Sequence, residues 1–142
     1  MPSAPQVRPE PPAKEVDQLP WQCASDSAEW FTQNFSKPEE PVSVEGGGST
    51  TTLPLEYHNH YSSARNGCFA LLSQLTSFKS DLRSKSKDYI VVTHTLWNVN
   101  EKSRLGIYAV KNVEAMTACN VSGVTCMSKD QWLEMTRPYM TD

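Results

Sequence analysis

The sequence predicts an α+β domain, in which a small antiparallel sheet of three or more strands in meander order is flanked by an N-terminal and a C-terminal helix. Two observations lead to this prediction. Apolar, β-branched and aromatic runs alternate with turn residues in the middle of the chain, and one amphipathic segment lies toward each end. The chain has 142 residues, which is the length of one domain.

The first twenty residues have the composition of a spacer. They contain six prolines, which remove backbone donors, and few large apolar side chains that could offset the entropy cost of ordering. They also contain no apolar run of signal-peptide length, and they look like a segment that would follow a removed export signal. We therefore expect a disordered proline-rich tail over 1–20 and one disulfide-stabilised domain over 21–142.

The domain begins with a short helix and a long loop. In "CASDSAEWFTQNF" the residues at 25–27 are candidate N-caps, and Ala28, Phe31 and Phe35 recur at helical spacing. Segment 36–54 is rich in proline, glycine and hydroxyl residues and predicts a flexible loop. Its three consecutive glycines are not followed by the Lys-Ser/Thr pair of a phosphate-binding loop, so a linker is favoured.

A second helix, three strands and a last helix follow. Tyr57, Tyr61 and Ala64 would share one face of a helix over 55–66, which an Asn-Gly pair would end. Strands are expected at 68–75, 89–99 and 105–113, and the second has the strongest β composition. "NVNEKSR" predicts the hairpin turn between the last two strands. The final helix would begin at a capping box of Ser128 and Gln131.

Charge and hydropathy argue against two kinds of partner. The net charge is −3, and no lysine or arginine cluster is dense enough to neutralise a phosphate backbone, so nucleic acid is not expected as a partner. No apolar run approaches the 18 or more residues that a membrane span requires, so no membrane span is expected either. The sequence also contains no motif that predicts a cofactor.

The four cysteines predict disulfides rather than a metal site. "CNVSGVTC" lacks both the knuckle spacing of zinc ligands and the C-x-x-C of a catalytic dithiol, but its Ser-Gly tip can bring Cys119 and Cys126 together. This closure is worth about 2.5 kcal/mol in the chain-entropy model. A bond between Cys23 and Cys68 would then contribute roughly 4 kcal/mol and span the predicted loop. Four cysteines permit three connectivities, and the sequence leaves the other two open. Disulfides imply an oxidising compartment.

Three histidines are the candidate metal ligands. His58 and His60 could chelate a metal from one face of a strand, with His94 as a third ligand. On the helix expected at 55–66 the first two would point about 200° apart, so a packing or surface role is favoured. A thiol–base couple of Cys68 and His60 is a further alternative. Trp97, Tyr108 and Trp132 are interpreted as core aromatics rather than as a ligand pocket.

Several segments taken in order resemble a family. "CASDSAEWF", "EYHNHYSSARNGCF", "LWNVNEKSRLGIY" and "CNVSGVTCMSKDQWLEMTRPYM" together resemble a set of short, uncharacterised exported bacterial proteins. The resemblance covers Cys23 to Met140, and it departs from the set's pattern at Ser62, where Asn is usual, and in the longer 36–54 loop. It implies a periplasmic or secreted location and disulfide roles for Cys23, Cys68, Cys119 and Cys126, but it brings no activity.

The functional expectation is a non-enzymatic module that binds a protein partner in the envelope or outside the cell. No catalytic residue is predicted. The alternative is a small metal-binding protein, or a thiol- or metal-dependent enzyme, that uses His58, His60 and Cys68.

Overall fold

The computed structural model describes the backbone of residues 13–141 and the side chains of residues 19–141. Its seven strands form one antiparallel sheet, in which each strand lies beside its neighbours in the sequence. This confirms the predicted α+β meander with flanking helices. The elements in chain order are α1 (Ala13–Asn34), β1 (Val42–Ser43), β2 (Ser49–Ser62), β3 (Gly67–Lys79), β4 (Tyr89–Asn98), β5 (Ser103–Lys111), β6 (Ala115–Val121), β7 (Val124–Thr125) and α2 (Lys129–Met140).

The first helix begins earlier than the sequence predicts. It starts at Ala13 and includes Pro20, so the expected disordered tail is wrong for residues 13–20, and residues 1–12 lie outside the described part of the chain. Proline has no backbone N–H to donate to the carbonyl four residues earlier, which is why the sequence reads as a break at this point. The helix continues on both sides of Pro20, and its C-terminal half is attached to the sheet.

Residues 49–62 form a strand instead of the end of a loop and a helix. β2 pairs with β3 over its whole length, from Ser49 opposite Lys79 to Ser62 opposite Gly67. Residues four apart share a face in a strand as well as in a helix, so the Tyr57 and Tyr61 spacing fits both structures. The predicted helix over 55–66 is therefore wrong, and the loop expected over 36–54 is shorter, because that segment contains β1 and the start of β2.

The two helices pack on opposite faces of the sheet and form two cores. Along β3, Cys68, Ala70 and Leu72 face α1, whereas Phe69 and Leu71 face α2. Trp30 anchors the α1 core, packing against the rings of Phe35, Tyr57 and Trp97. Trp132 anchors the α2 core among Leu96, Tyr108, Cys119, Val121 and Cys126. Trp30 and Trp132 are each 5% exposed or less, so each supplies a large buried apolar area.

Each core contains one buried disulfide. Cys23 of α1 is bonded to Cys68 at the start of β3, and Cys119 of β6 is bonded to Cys126, shortly before α2. These are the two pairs that the sequence favours. Each bond therefore connects a helix, or the segment that leads into a helix, to the sheet.

Neither helix, over the range just given, is long and apolar enough to cross a bilayer.

Candidate functional site

Histidines from two strands lie on the sheet face that α2 covers. His58 and His60 alternate along β2, opposite Leu71 and Phe69 of β3. His94 lies on β4, with Ser73 of β3 between it and Glu56 of β2. His58 and His94 line one pocket, whereas His60 is not among the residues that line it.

This pocket lies between the sheet and the N-terminal half of α2, and its volume is about 200 Å³. We call it the helix-edge pocket. Leu71, Tyr108, Trp132 and Leu133 supply its apolar surface, and Glu56, His58, Ser73, His94 and Lys129 supply its polar groups. An apolar lining with a few polar groups is the usual composition of a recognition pocket in proteins.

A stack of three rings fixes one wall of the pocket. His94 stacks on Tyr108 with ring centroids 5.9 Å apart, and Tyr108 stacks on Trp132 at the same distance. Tyr108 and Trp132 are 8% and 3% exposed, so the stack extends from β4 through β5 into the core under α2. The expected core role of these two aromatics is confirmed, and they line the pocket as well. Trp97, by contrast, packs in the α1 core.

The surroundings of His94 favour its neutral form. Burial of the ring lowers the pKa of His94, the charge of Lys129 lowers it further, and Glu56 opposes the shift. Nδ1 of His94 lies 2.8 Å from Oγ of Ser73. A neutral imidazole has one nitrogen that donates and one that accepts. Nδ1 accepts when the Ser73 hydroxyl donates to it, and in the other tautomer Nδ1 donates to Oγ of Ser73.

Glu56 and His58 form a more exposed pair at the β2 side of the pocket. Nε2 of His58 lies 3.4 Å from Oε2 of Glu56, and the side chains are 70% and 64% exposed respectively. A side-chain contact this exposed contributes little to stability, because water screens it. The two side chains therefore serve better as polar contacts for a ligand than as part of the framework.

β2 is also an open edge of the sheet beside this pocket. β1 pairs only with Ser49 and Thr50, and the Glu39 N–H donates to the Thr52 carbonyl at 2.9 Å. Within residues 13–141, no strand pairs with the outer edge of β2 beyond that point. After the bulge at Leu55, residues 56–62 pair regularly with β3. The edge of a sheet presents outward backbone groups with which another strand can pair.

The structure separates the residues of the alternative chemistry. Cys68 is bonded to Cys23 and lies on the opposite face of the sheet from His60, so the proposed thiol–base couple is wrong. All four cysteines are in disulfides. His58 and His60 do share a strand face, contrary to the helical expectation. Even so, no group of three His, Cys, Asp or Glu side chains in the described part of the chain is arranged to bind a metal.

Several pocket residues carry no signal in the sequence. Ser73, Lys129 and Leu133 come from β3 and α2 and meet Glu56 only through the sheet register and the position of α2. The one local signal is the alternation of Glu56, His58 and His60 along a strand. It could have been found if 55–66 had been interpreted as β structure.

Comparisons with protein-family models, with curated proteins and with solved structures found no significant match to this chain.

Proposed function

We propose that the protein is a non-enzymatic, exported recognition module that binds an extended segment of a partner protein along residues 56–62 of β2. One observation carries this proposal: the open edge of the sheet adjoins the helix-edge pocket. An added strand is a common mode of peptide recognition, in which backbone hydrogen bonds supply affinity and side-chain pockets supply specificity.

The backbone of β2 supports the first part of this mode. A partner strand would lie about 4.8 Å from β2 and continue the hydrogen-bond ladder that β3 begins on the other side. Each such hydrogen bond contributes about 0.5–1.5 kcal/mol net. Because residues 56–62 are in regular register with β3, their outward groups are already arranged for pairing.

The pocket supports the second part. Alternate side chains of an added strand would lie beside Glu56 and His58 on the α2 face, next to the apolar surface of Leu71 and Leu133. A volume of about 200 Å³ is below the usual range for a drug-sized ligand and suits a single side chain. We expect one apolar side chain of the partner to enter the helix-edge pocket and polar residues to flank it, facing Glu56, His58 and Lys129.

The disulfides support the exported location. Two buried disulfides are consistent with an oxidising environment, since reducing cytosolic conditions keep thiols free. The periplasm or the outside of the cell is such an environment. The resemblance to exported bacterial proteins points the same way.

The edge is tested by selecting binding peptides from a random peptide library and mapping the strongest binder by NMR. We expect the outward-pointing amide protons of 56–62, which do not bond to β3, to become protected from exchange. N-methylation of alternate peptide residues removes the N–H donors from one edge of the peptide. Methylation of the residues that face β2 should abolish binding, and methylation of the intervening residues should not. Equal effects of the two methylated sets, or protection of amide protons only in other strands, would rule out strand addition.

The pocket is tested by a matched pair of variants. Leu133→Arg places a long cationic side chain at the pocket, and Leu82→Arg makes the same change at a fully exposed position in the β3–β4 loop. We expect the first variant to weaken peptide binding by about tenfold or more and the second to change it by less than about twofold. Unchanged binding by Leu133→Arg would remove the pocket from the proposal.

A further inference from the structure

A larger cavity lies near the other ends of β3 and β4. It has a volume of about 520 Å³ and lies between the turn at 44–48 and the loop at 80–88. Gly46, Gly47, Arg83 and Lys85 are in its walls, and Phe78 and Tyr89 form its floor. We call it the strand-end groove. It shares no residue with the helix-edge pocket, and its volume is in the usual range for a small-molecule site.

Asp81 joins the two walls of the groove. Its carboxylate accepts the backbone N–H groups of Gly48 and Arg83, and these two hydrogen bonds are the main reason that the pKa of Asp81 is lowered to about 2. The turn and the loop also fit closely. A Cβ added to Gly47, where φ is +108°, would lie 2.5 Å from Oδ1 of Asp81 and 2.8 Å from Cβ of Arg83. The groove therefore has a defined shape without a ligand.

The floor of the groove is aromatic. Phe78 and Tyr89 stack with centroids 4.9 Å apart and an interplanar angle of 19°. Phe78 is 5% exposed, and a Cβ on Gly48 would lie 2.6 Å from its Cε1 and Cζ, so the turn covers its ring. Nζ of Lys111 lies over the Tyr89 ring at 4.3 Å from its centroid. The half-buried Tyr89 is therefore the ring that a ligand would contact.

The walls add positive charge at the same place. Arg83 is paired with Asp81 at 3.2 Å, whereas Lys85 has no ion-pair partner among the described side chains. Ser86 supplies a hydroxyl group, whereas the Ser84 hydroxyl donates to Asp81. The charge of Asp81 offsets that of Arg83, so Lys85 is the cation of the groove that an anionic group would contact, and Glu45 is the one carboxylate among the lining residues.

We propose that the strand-end groove binds a small organic anion with a flat apolar body, such as an aromatic sulfonate or carboxylate. The apolar body lies against the ring of Tyr89, and the anionic group contacts Lys85 and the Ser86 hydroxyl. No bond is made or broken in this binding.

The proposal is tested with two probes that differ in charge. Binding of 2-naphthalenesulfonate and of 2-naphthylmethylammonium to the full chain is followed by amide NMR shifts. We expect saturable shifts at Gly46, Gly47 and residues 83–86 with the sulfonate, and at least about tenfold weaker binding of the ammonium compound. Equal binding of the two probes, shifts centred elsewhere, or no saturation by the sulfonate would overturn the proposal.

Matched variants distinguish binding in the strand-end groove from nonspecific attraction between the sulfonate and positive charges of the loop. Lys85→Glu reverses a charge in the groove, and Lys87→Glu makes the same change in the same loop at an exposed residue that does not line it. We expect Lys85→Glu to weaken sulfonate binding by about tenfold and Lys87→Glu to change it by less than about twofold, whereas Glu45→Gln should strengthen it. Equal losses in the two lysine variants would indicate charge attraction without a site and overturn the proposal.

Discussion

The two helices are attached to the sheet in different ways. The disulfide of α1 joins residues 45 positions apart and bonds the helix itself to β3, whereas the disulfide near α2 joins residues 7 positions apart and lies outside the helix. The α2 attachment therefore depends more on side-chain packing, through Trp132 and the rings beside it. A long covalent closure therefore secures α1 in addition to the packing around Trp30, whereas packing alone holds the α2 helix itself.

The largest effect should come from removing the longer closure. We expect the double variant Cys23→Ala and Cys68→Ala to lose roughly 4 kcal/mol of unfolding free energy, because the unfolded chain regains the entropy of a long loop. Urea unfolding followed by circular dichroism measures this loss. An effect no greater than that of removing the shorter disulfide would contradict the comparison.

Removing the shorter closure should cost less. We expect the double variant Cys119→Ala and Cys126→Ala to lose about 2.5 kcal/mol, because the loop that it releases is short. The same urea experiment applies. Because Cys119 and Cys126 are both in the α2 core, near-ultraviolet circular dichroism of Trp132 should report any repacking there.

A change in backbone packing should test the α2 side without touching a cysteine. A Cβ at Gly106 would lie 2.8 Å from the Asn120 carbonyl and 3.2 Å from the ring of Trp132. We expect Gly106→Ala to destabilise the protein by about 1–3 kcal/mol, because the neighbouring strand or Trp132 must move. A stability equal to that of the wild type would show that α2 does not require this close approach.

The smallest effect should be a pH dependence specific to the α2 side. The pKa of His94 is lowered by burial and by Lys129, and raised in part by Glu56, while His58 lies in the same pocket. Below about pH 6.5 the imidazole of His94 is protonated more readily in the unfolded chain than in the folded protein. The free energy of unfolding therefore falls as the pH decreases. We expect His94→Gln to reduce the loss of unfolding free energy between pH 7.5 and pH 5.5, measured by urea unfolding. An unchanged pH dependence would contradict this role for His94.

The meander order of three strands and the Cys119–Cys126 pair could be predicted because both depend on local signals, whereas Cys23–Cys68 followed only as the remaining pair. The run at 89–99 and the hairpin turn after it have strong β composition, and "CNVSGVTC" has a turn at its centre. Residues 55–66 were misassigned because a spacing of four residues fits one face of a helix and of a strand. Only pairing with β3, a tertiary interaction, decides between the two structures.

The candidate sites were harder to predict for a related reason. The helix-edge pocket combines residues of β2, β3, β4, β5 and α2, so no spacing along the chain marks it. The strand-end groove depends on Asp81 binding the backbone of Gly48, a contact between two segments that each look like an ordinary loop. The three glycines at 46–48 lack a phosphate-loop motif, and in the structure their positive φ angles form the turn of this groove.

The meander order has a consequence for oxidative maturation. Since every strand bonds only to its sequence neighbours, the sheet can assemble hairpin by hairpin without first closing a large loop. The β6–β7 hairpin brings Cys126 to Cys119 through a 3.0 Å backbone hydrogen bond, and the β2–β3 hairpin places Cys68 at the start of β3. The tertiary structure thus selects the correct isomer among the three possible pairings, so a chain that is released reduced should reoxidise to its native form without a disulfide shuffling catalyst.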